Sequence, residues 1–257
     1  MTEIASTAVV EGGAELGTDV RIGPYAIIGP NVRIGSGTTV GPHAVIDGYT
    51  DIGQDCRIFP HAAVGLEPQD LKYCGGRSWL RIGDRTVIRE FATLNPATGE
   101  GDATLVGSDC LLMAYSHVAH NCRIEDNVIL ANAVNLAGHV TIGTHAVLGG
   151  VTPVHQFVRI GAHAIVGGGS RVPMDVAPYT LAAGNPLETH GLNVVGLSRR
   201  GFSEETINAL KKTYRIFYRQ NLGVDEAVSR IRAEVTATPE VETFLAFVLT
   251  SERGLTR

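Results

Sequence analysis

Aliphatic residues return every six positions along most of this chain. From Ile4 the series runs Val10, Leu16, Ile22, Ile28, Ile34, Val40, Ile46, Ile52, Ile58 and Val64. It resumes at Ile82, Ile88 and Leu94, then continues unbroken from Val106 through Leu112, Val118, Ile124, Leu130, Leu136, Ile142, Leu148, Val154, Ile160 and Val166 to Val172. Glycine often follows the aliphatic residue directly, as at Gly17, Gly23, Gly29 and Gly35. A small residue stands four places on, as at Ala8, Ala26, Ala44, Cys56, Ala62, Cys110, Cys122 and Ala146. An amphipathic helix repeats every 3.6 residues and a half-buried strand every second residue, so a period of six fits neither. It fits a short strand and a tight turn, repeated. Three such hexads close a triangular coil of eighteen residues, and coils stack at roughly 4.8 Å, the spacing of hydrogen-bonded strands. The predicted fold class is therefore mainly β, a parallel β-helix of hexapeptide repeats. Cys56, Cys110 and Cys122, in the small slot, read as buried wall.

Two segments depart from the pattern, residues 70–81 and 99–105, and they read as loop excursions from the prism. Loops on rigid scaffolds tend to carry function. The first gathers Asp70, Lys72, Tyr73 and the single tryptophan, Trp79. Past Pro178 the pattern turns helical, which divides the chain into a β-helix over 1–190 and a helical domain over 191–257. Ser203 can cap a helix whose stripe is Ile207, Leu210, Tyr214, Phe217 and Tyr218, ended by Gly223. Asp225 opens a second helix through Val235, and Thr238-Pro239 a third, with Val241, Phe244, Leu245 and Val248 inward.

Charge and termini exclude several classes. The net charge is −5 and the pI about 6.0, so there is no broad basic field for nucleic acid. The N-terminus lacks a basic region followed by an apolar run, and no eighteen consecutive residues are apolar, so neither a signal peptide nor a membrane span is expected. The four cysteines form no CxxC pair. The expectation is a soluble protein of a reducing compartment, the cytoplasm.

Nine histidines sort by their phase in the repeat. His43 and His61 share one turn slot, and His145 and His163 share another, so all four read as solvent-facing turn residues. Adding eighteen twice to 120 reaches Gly138 and Gln156, which stacks His120, Gly138 and Gln156 on one side of the prism. His117, His139 and His155 fall close to that line, so four histidines converge within about two coils, on the order of 10 Å. Such a cluster suits zinc or general-base catalysis. No cysteine or carboxylate in the stack completes a metal shell, which favours the base. An amide at Gly138, where the backbone can be approached closely, can face a developing oxyanion. Base plus oxyanion donor is an arrangement for acyl transfer.

The segments QDLKY (69–73), GSDCLLMAYSHVAHNC (107–122), LAGHV (136–140), PVHQF (153–157), IGAHAIVGGGS (160–170) and GLNVVGLSRRGFS (191–203) closely resemble the UDP-N-acetylglucosamine O-acyltransferases of lipid A synthesis. The resemblance spans nearly the whole chain. It implies a left-handed coil, a homotrimer with sites between neighbouring prisms, and no cofactor. It further implies transfer of a 3-hydroxyacyl group from acyl carrier protein to the sugar 3-hydroxyl of UDP-N-acetylglucosamine. By this resemblance His120 is the base and the Gly138 amide the oxyanion donor. Asp70, Lys72, His117, His139, His155 and Gln156 hold sugar, diphosphate and acyl chain; Asn193 and Arg200 meet the nucleotide; Arg199 meets the carrier; Gly168 stands where acyl length is limited. Four positions depart from the family pattern. Asn121 replaces an Asp after the base, Asn95 a substrate-facing His, Val195 a Glu near the uracil, and Pro186 a His near the acyl channel. Asn121 can accept the imidazole N–H but stabilises imidazolium less. These departures leave open whether the acceptor carries a 3-hydroxyl or a 3-amino group. The sister N-acyltransferase of the pathway, a zinc hydrolase and a purely structural β-helix are the rival readings.

Overall fold

In the computed structural model, which describes all 257 residues, strands of mostly two residues form three sheets of eleven, eight and eight strands, parallel except for the final strand of the first. They wind as a left-handed parallel β-helix. The register is the hexad arithmetic made physical: Val118 pairs with Leu136, and Leu136 with Val154, each eighteen residues on. From Ile22 onward the predicted aliphatic residues point inward and, with small residues, form one core of 42 buried residues; Val10 and Leu16 are partly buried against it, and Ile4 in the first coil is exposed. Cys56, Cys110 and Cys122 are buried there, as expected, and burial pushes the thiols of Cys110 and Cys122 up to about 11 and about 12.

Most corners of the prism are turns whose second member is left-handed. Tyr25, His43, His61, Asn121 and His139 all have φ between 58° and 62°. This conformation is unfavourable for a residue with a Cβ. In many of these turns the N–H of the left-handed residue donates to the coil before it, as His43 N–H does to the Pro24 carbonyl at 3.0 Å and His139 N–H to the His120 carbonyl at 3.1 Å. The first member of the turn is proline at 24, 30, 42 and 60, so the ladder does not use that position's N–H. His43 and His61 are exposed, but they are not isolated: the rings of Tyr25, His43, His61, Phe91 and Tyr115 stack at 4.9–5.0 Å up one corner.

The excursions are displaced from where the hexads put them. The first ends before Trp79, because Trp79–Ile82 is a four-residue strand paired with Tyr49–Ile52. The second ends before Ala103, since Ala103–Val106 pairs with Trp79–Ile82. Longer strands on this face point Thr50, Leu80 and Thr104 inward as well, so the six-residue count missed their first halves. Trp79 consequently lies on the outer face, against Tyr49, Arg77 and Arg81.

The last strand of the prism, Thr180–Ala183, pairs antiparallel with Glu188–Leu192, and four helices follow. Helix α1 (Val194–Arg199) was not expected from the pattern; Asn193 caps it. Helix α2 (Glu204–Arg219) starts from the Ser203 cap and stops at Gln220, before Gly223. Gly223, not Asp225, caps α3 (Val224–Glu234), and Thr238 caps α4 (Pro239–Leu249) as predicted. These helices close over a second core of 16 buried residues, which includes Ala177 and Tyr179 of the last coil. No helix is long and apolar enough to cross a membrane.

Candidate active site

The phase argument places His120, Gly138 and Gln156 one above another at a single corner, and the structure puts them in one groove of about 770 Å³. The groove runs along the outer face that carries His117, Asn135 and Pro153, which are in register across three coils. The first excursion closes one side with Gln69, Asp70 and Lys72. Phe157 adds a wall, stacked on His139 at 4.6 Å.

The His120 side chain is 16% exposed. Its Nδ1 lies 3.0 Å from Asn121 Oδ1. That oxygen also accepts from the Thr98 N–H and Oγ1, both at 3.1 Å, and Asn121 Nδ2 donates to Asp102 Oδ2 at 3.4 Å. The amide is thereby oriented with oxygen toward the ring, so the His120 proton resides on Nδ1 and the Nε2 lone pair faces the groove. The nearest carboxylate to Nε2 is Asp70 Oδ2, at 3.8 Å. This is too long for a hydrogen bond. Asp70 is itself fixed by the Lys72 N–H, which donates to Oδ1 at 2.9 Å.

Gly138 explains itself by the ring beneath it. A Cβ on Gly138 would lie 2.5 Å from Cε1 and 2.6 Å from Nε2 of His120. Its N–H donates to no backbone carbonyl, in the turn position that proline fills elsewhere. A free amide and an unprotonated nitrogen therefore share one small space.

Two of the flanking histidines, His117 and His139, are shifted toward the neutral form. Burial, and then the neighbouring His120, hold His117 below its usual range, and Thr93 Oγ1 engages its Nδ1 at 2.7 Å. His139 is lowered by the same two causes, with Asp102 and Asp70 opposing them. No three His, Cys, Asp or Glu side chains converge to hold a metal ion.

Other residues singled out from the sequence lie elsewhere. His155 turns away and accepts from Arg253 Nη2 at 3.0 Å. Asn95 is buried, and its Nδ2 donates to the carbonyls of Leu66 and Glu67, so it anchors the root of the first excursion. Asn193 uses both ends of its amide, accepting from Gly196 N–H and donating to the His163 carbonyl. Val195, Arg199 and Arg200 are exposed on or just after α1, and Arg200 Nη1 donates to His145 Nδ1 at 2.6 Å. Gly168 belongs to the next corner, packed on Gly149 and Gly150, and Pro186 is exposed in the turn before the last strand.

His145 and His163 are not simple solvent-facing residues. His163 stacks on Tyr179 and meets Phe202 edge-on where the prism meets the helices. Burial first, then His145 and Arg200, push its imidazole down to about 4. The sequence reading also overlooked Asn135, Pro153 and Phe157, although 117 plus eighteen and thirty-six gives the first two. Asp102 lies in the second excursion and Thr98 just before it, where the hexad count is silent.

The comparisons agree with this geometry. Residues 175–256 match the family model described as UDP-N-acetylglucosamine O-acyltransferase, domain 2, and residues 13–48 and 103–138 match the bacterial transferase hexapeptide model. The acyl-[acyl-carrier-protein]–UDP-N-acetylglucosamine O-acyltransferase of Herminiimonas arsenicoxydans is 47% identical, with 100% of both chains covered. That of Anaeromyxobacter dehalogenans is 49% identical over 99% of both. The crystal structure of UDP-N-acetylglucosamine O-acyltransferase from Moraxella catarrhalis superposes with a TM-score of 0.95 at 41% identity, covering 99% of each chain. The Bacteroides fragilis enzyme gives 0.96 at 38%, covering 98% of this chain and 99% of its own. Hexad repeat, helical tail, groove and full-length identity coincide: the chain belongs to the UDP-N-acetylglucosamine O-acyltransferase family.

Proposed function

We propose that this chain transfers a 3-hydroxyacyl group from acyl carrier protein to the 3-position of UDP-N-acetylglucosamine, the first step of lipid A biosynthesis, with His120 Nε2 as general base. One observation carries the mechanism: the Asn121 amide fixes the Nδ1 proton, so Nε2 opens onto the groove opposite the free Gly138 N–H. Nε2 takes the proton of the sugar 3-hydroxyl as its oxygen attacks the thioester carbonyl. The tetrahedral oxyanion accepts from Gly138 N–H. As the intermediate collapses, the imidazolium returns that proton to the departing carrier thiol. A 3-amino acceptor would follow the same course. Asp70, Lys72, His117, His139 and Gln156 face the substrate from the groove walls.

We further propose a homotrimer. On the outside of the eleven-stranded sheet Val87, Leu111, Ile129, Val147, Ile165 and Leu181 stand in register, an aliphatic strip that contributes to neither core. Such a strip marks a protein–protein contact. A neighbouring subunit would bring Asn193, Arg199 and Arg200 to the nucleotide and carrier, since this chain does not direct them into its own groove. The separate cores of prism and helices support a division near residue 190. We place the reaction in the cytoplasm, supported by four cysteines that remain thiols.

The test is mass spectrometry of products from a panel of acyl carrier thioesters, with UDP-N-acetylglucosamine and its 3-amino analogue, using the wild type and His120→Ala. Removing the base should lower the rate by roughly 10²-fold or more. An alanine variant that keeps more than about a tenth of the rate refutes the role of His120.

A further inference from the structure

Asn121 presents a chemical problem. It meets Nδ1 of the base, yet a neutral amide supplies no charge to balance the imidazolium that forms when Nε2 takes a proton. An amide can also flip, and a flipped Asn121 would aim NH₂ at Nδ1 and select the wrong tautomer.

The structure answers both points with the second excursion. Asn121 Oδ1 receives three donors, His120 Nδ1, Thr98 N–H and Thr98 Oγ1. Its Nδ2 has one acceptor, Asp102 Oδ2 at 3.4 Å. The backbone of Asp102 is pinned on both sides: its N–H donates to the Gly99 carbonyl at 3.0 Å, and its carbonyl accepts from Trp79 N–H at 2.9 Å. Its carboxylate lies over Gly99, where a Cβ would come within 2.3 Å of Oδ2. Asp102 forms no ion pair. That charge reaches across the site, since it opposes the lowering of His139.

We propose that Asp102 is a positioning residue for the base: its carboxylate holds the Asn121 amide with oxygen toward His120 and supplies, one hydrogen bond further out, the negative charge that Asn121 lacks. The proton on Nδ1 stays there throughout; only Nε2 gains and loses one. The inference rests on His120 being the base. The other titratable groups around His120 are Asp70 from the first excursion, Lys72 on the same groove wall, His117 from the strand just before it, and His139 from the next coil.

The experiment measures kcat and KM against pH for Asp102→Ala and Asp102→Asn, each in the wild-type and the Asn121→Asp background. Asp102 is exposed, and the contacts that pin its turn come from its backbone, so these variants should fold. Losing the distal anion makes imidazolium less favourable. The acid limb of kcat should therefore move down by roughly half to one pH unit, with kcat about fivefold lower and KM unchanged. Asp102→Asn keeps an acceptor and should lose less rate than Asp102→Ala while shifting the limb equally. With Asp at 121 the charge is adjacent to Nδ1, so removing Asp102 should then lose nothing. An unmoved acid limb, or the same loss in both backgrounds, overturns the proposal. His120→Ala is run alongside: if it stays active, the base assignment fails first; if it is inactive while the Asp102 variants match wild type, only the role of Asp102 fails.

Discussion

Gly138→Ala is the sharpest single test of the site, because it adds one methyl group and leaves the amide N–H in place. The new Cβ would lie 2.5 Å from His120 Cε1 and 2.6 Å from Nε2, whereas ordinary contact begins at 3.4 Å. The backbone of Gly138 does not have a positive φ, so alanine is not strained there, and the ring must yield instead. It has to retreat by about 1 Å, and a misplacement of that size costs on the order of 10²-fold in rate. The retreat also loosens the Nδ1–Asn121 bond, worth about 1 kcal/mol, or a few degrees in Tm for a chain of this size. We expect kcat reduced about 100-fold, KM nearly unchanged, and a melting point lowered by only a few degrees. The partner experiment places the same methyl in a His120→Ala background, where there is no ring to displace and the further loss should vanish. A Gly138→Ala enzyme with more than about a third of wild-type kcat would show that the ring has no fixed working position.

Three other outcomes follow from particular residues. His163, held down to about 4, is kept neutral by the fold; between its unfolded value, 6.5, and about 4, the unfolded chain binds a proton that the folded chain does not. Thermal stability should therefore fall as pH drops through that window, and His163→Phe, which keeps the ring contacts with Tyr179 and Phe202, should flatten the slope; equal slopes would refute it. Gly168→Met, whose Cβ would meet the Gly150 carbonyl oxygen at 3.1 Å, should move donor preference to chains several carbons shorter, since each buried CH₂ is worth about 0.8 kcal/mol; an unchanged profile in a folded, active variant removes Gly168 as the ruler. Ile129→Arg together with Val147→Arg puts two charges in the aliphatic strip and should give monomers by light scattering with activity lost; an active monomer would sink the shared-site model.

Much of this was legible because the fold is periodic. His120, Gly138 and Gln156 could be superposed by addition alone, and the inward cysteines followed from the same count. The count failed where periodicity lapses or where direction matters. His155 is one residue from the line, yet one residue along a turn reverses direction, and it meets Arg253 instead of the groove. Asn95 has a polar side chain that sequence reading sends to substrate, but it lies at the root of an excursion whose carbonyls needed donors. Asp102 carries no spacing signal, because its place depends on how a loop closes on Trp79 and Gly99. Helix α1 is six residues long and too short to display an apolar stripe.

The eighteen-residue register makes the site behave like a reading frame. Removing one hexad between Leu130 and Leu136 would keep every aliphatic residue pointing inward and satisfy the core. It would nevertheless rotate all later residues by a third of a turn, carrying Gly138 and Gln156 to a different face from His120. Removing three hexads would restore the faces and shorten the prism by one coil. Fold and catalysis therefore have different arithmetic: the scaffold tolerates changes in units of six, and the active site only in units of eighteen. Both natural excursions leave the strands in phase when they return, pairing Ile52 with Ile82 and Leu94 with Val118.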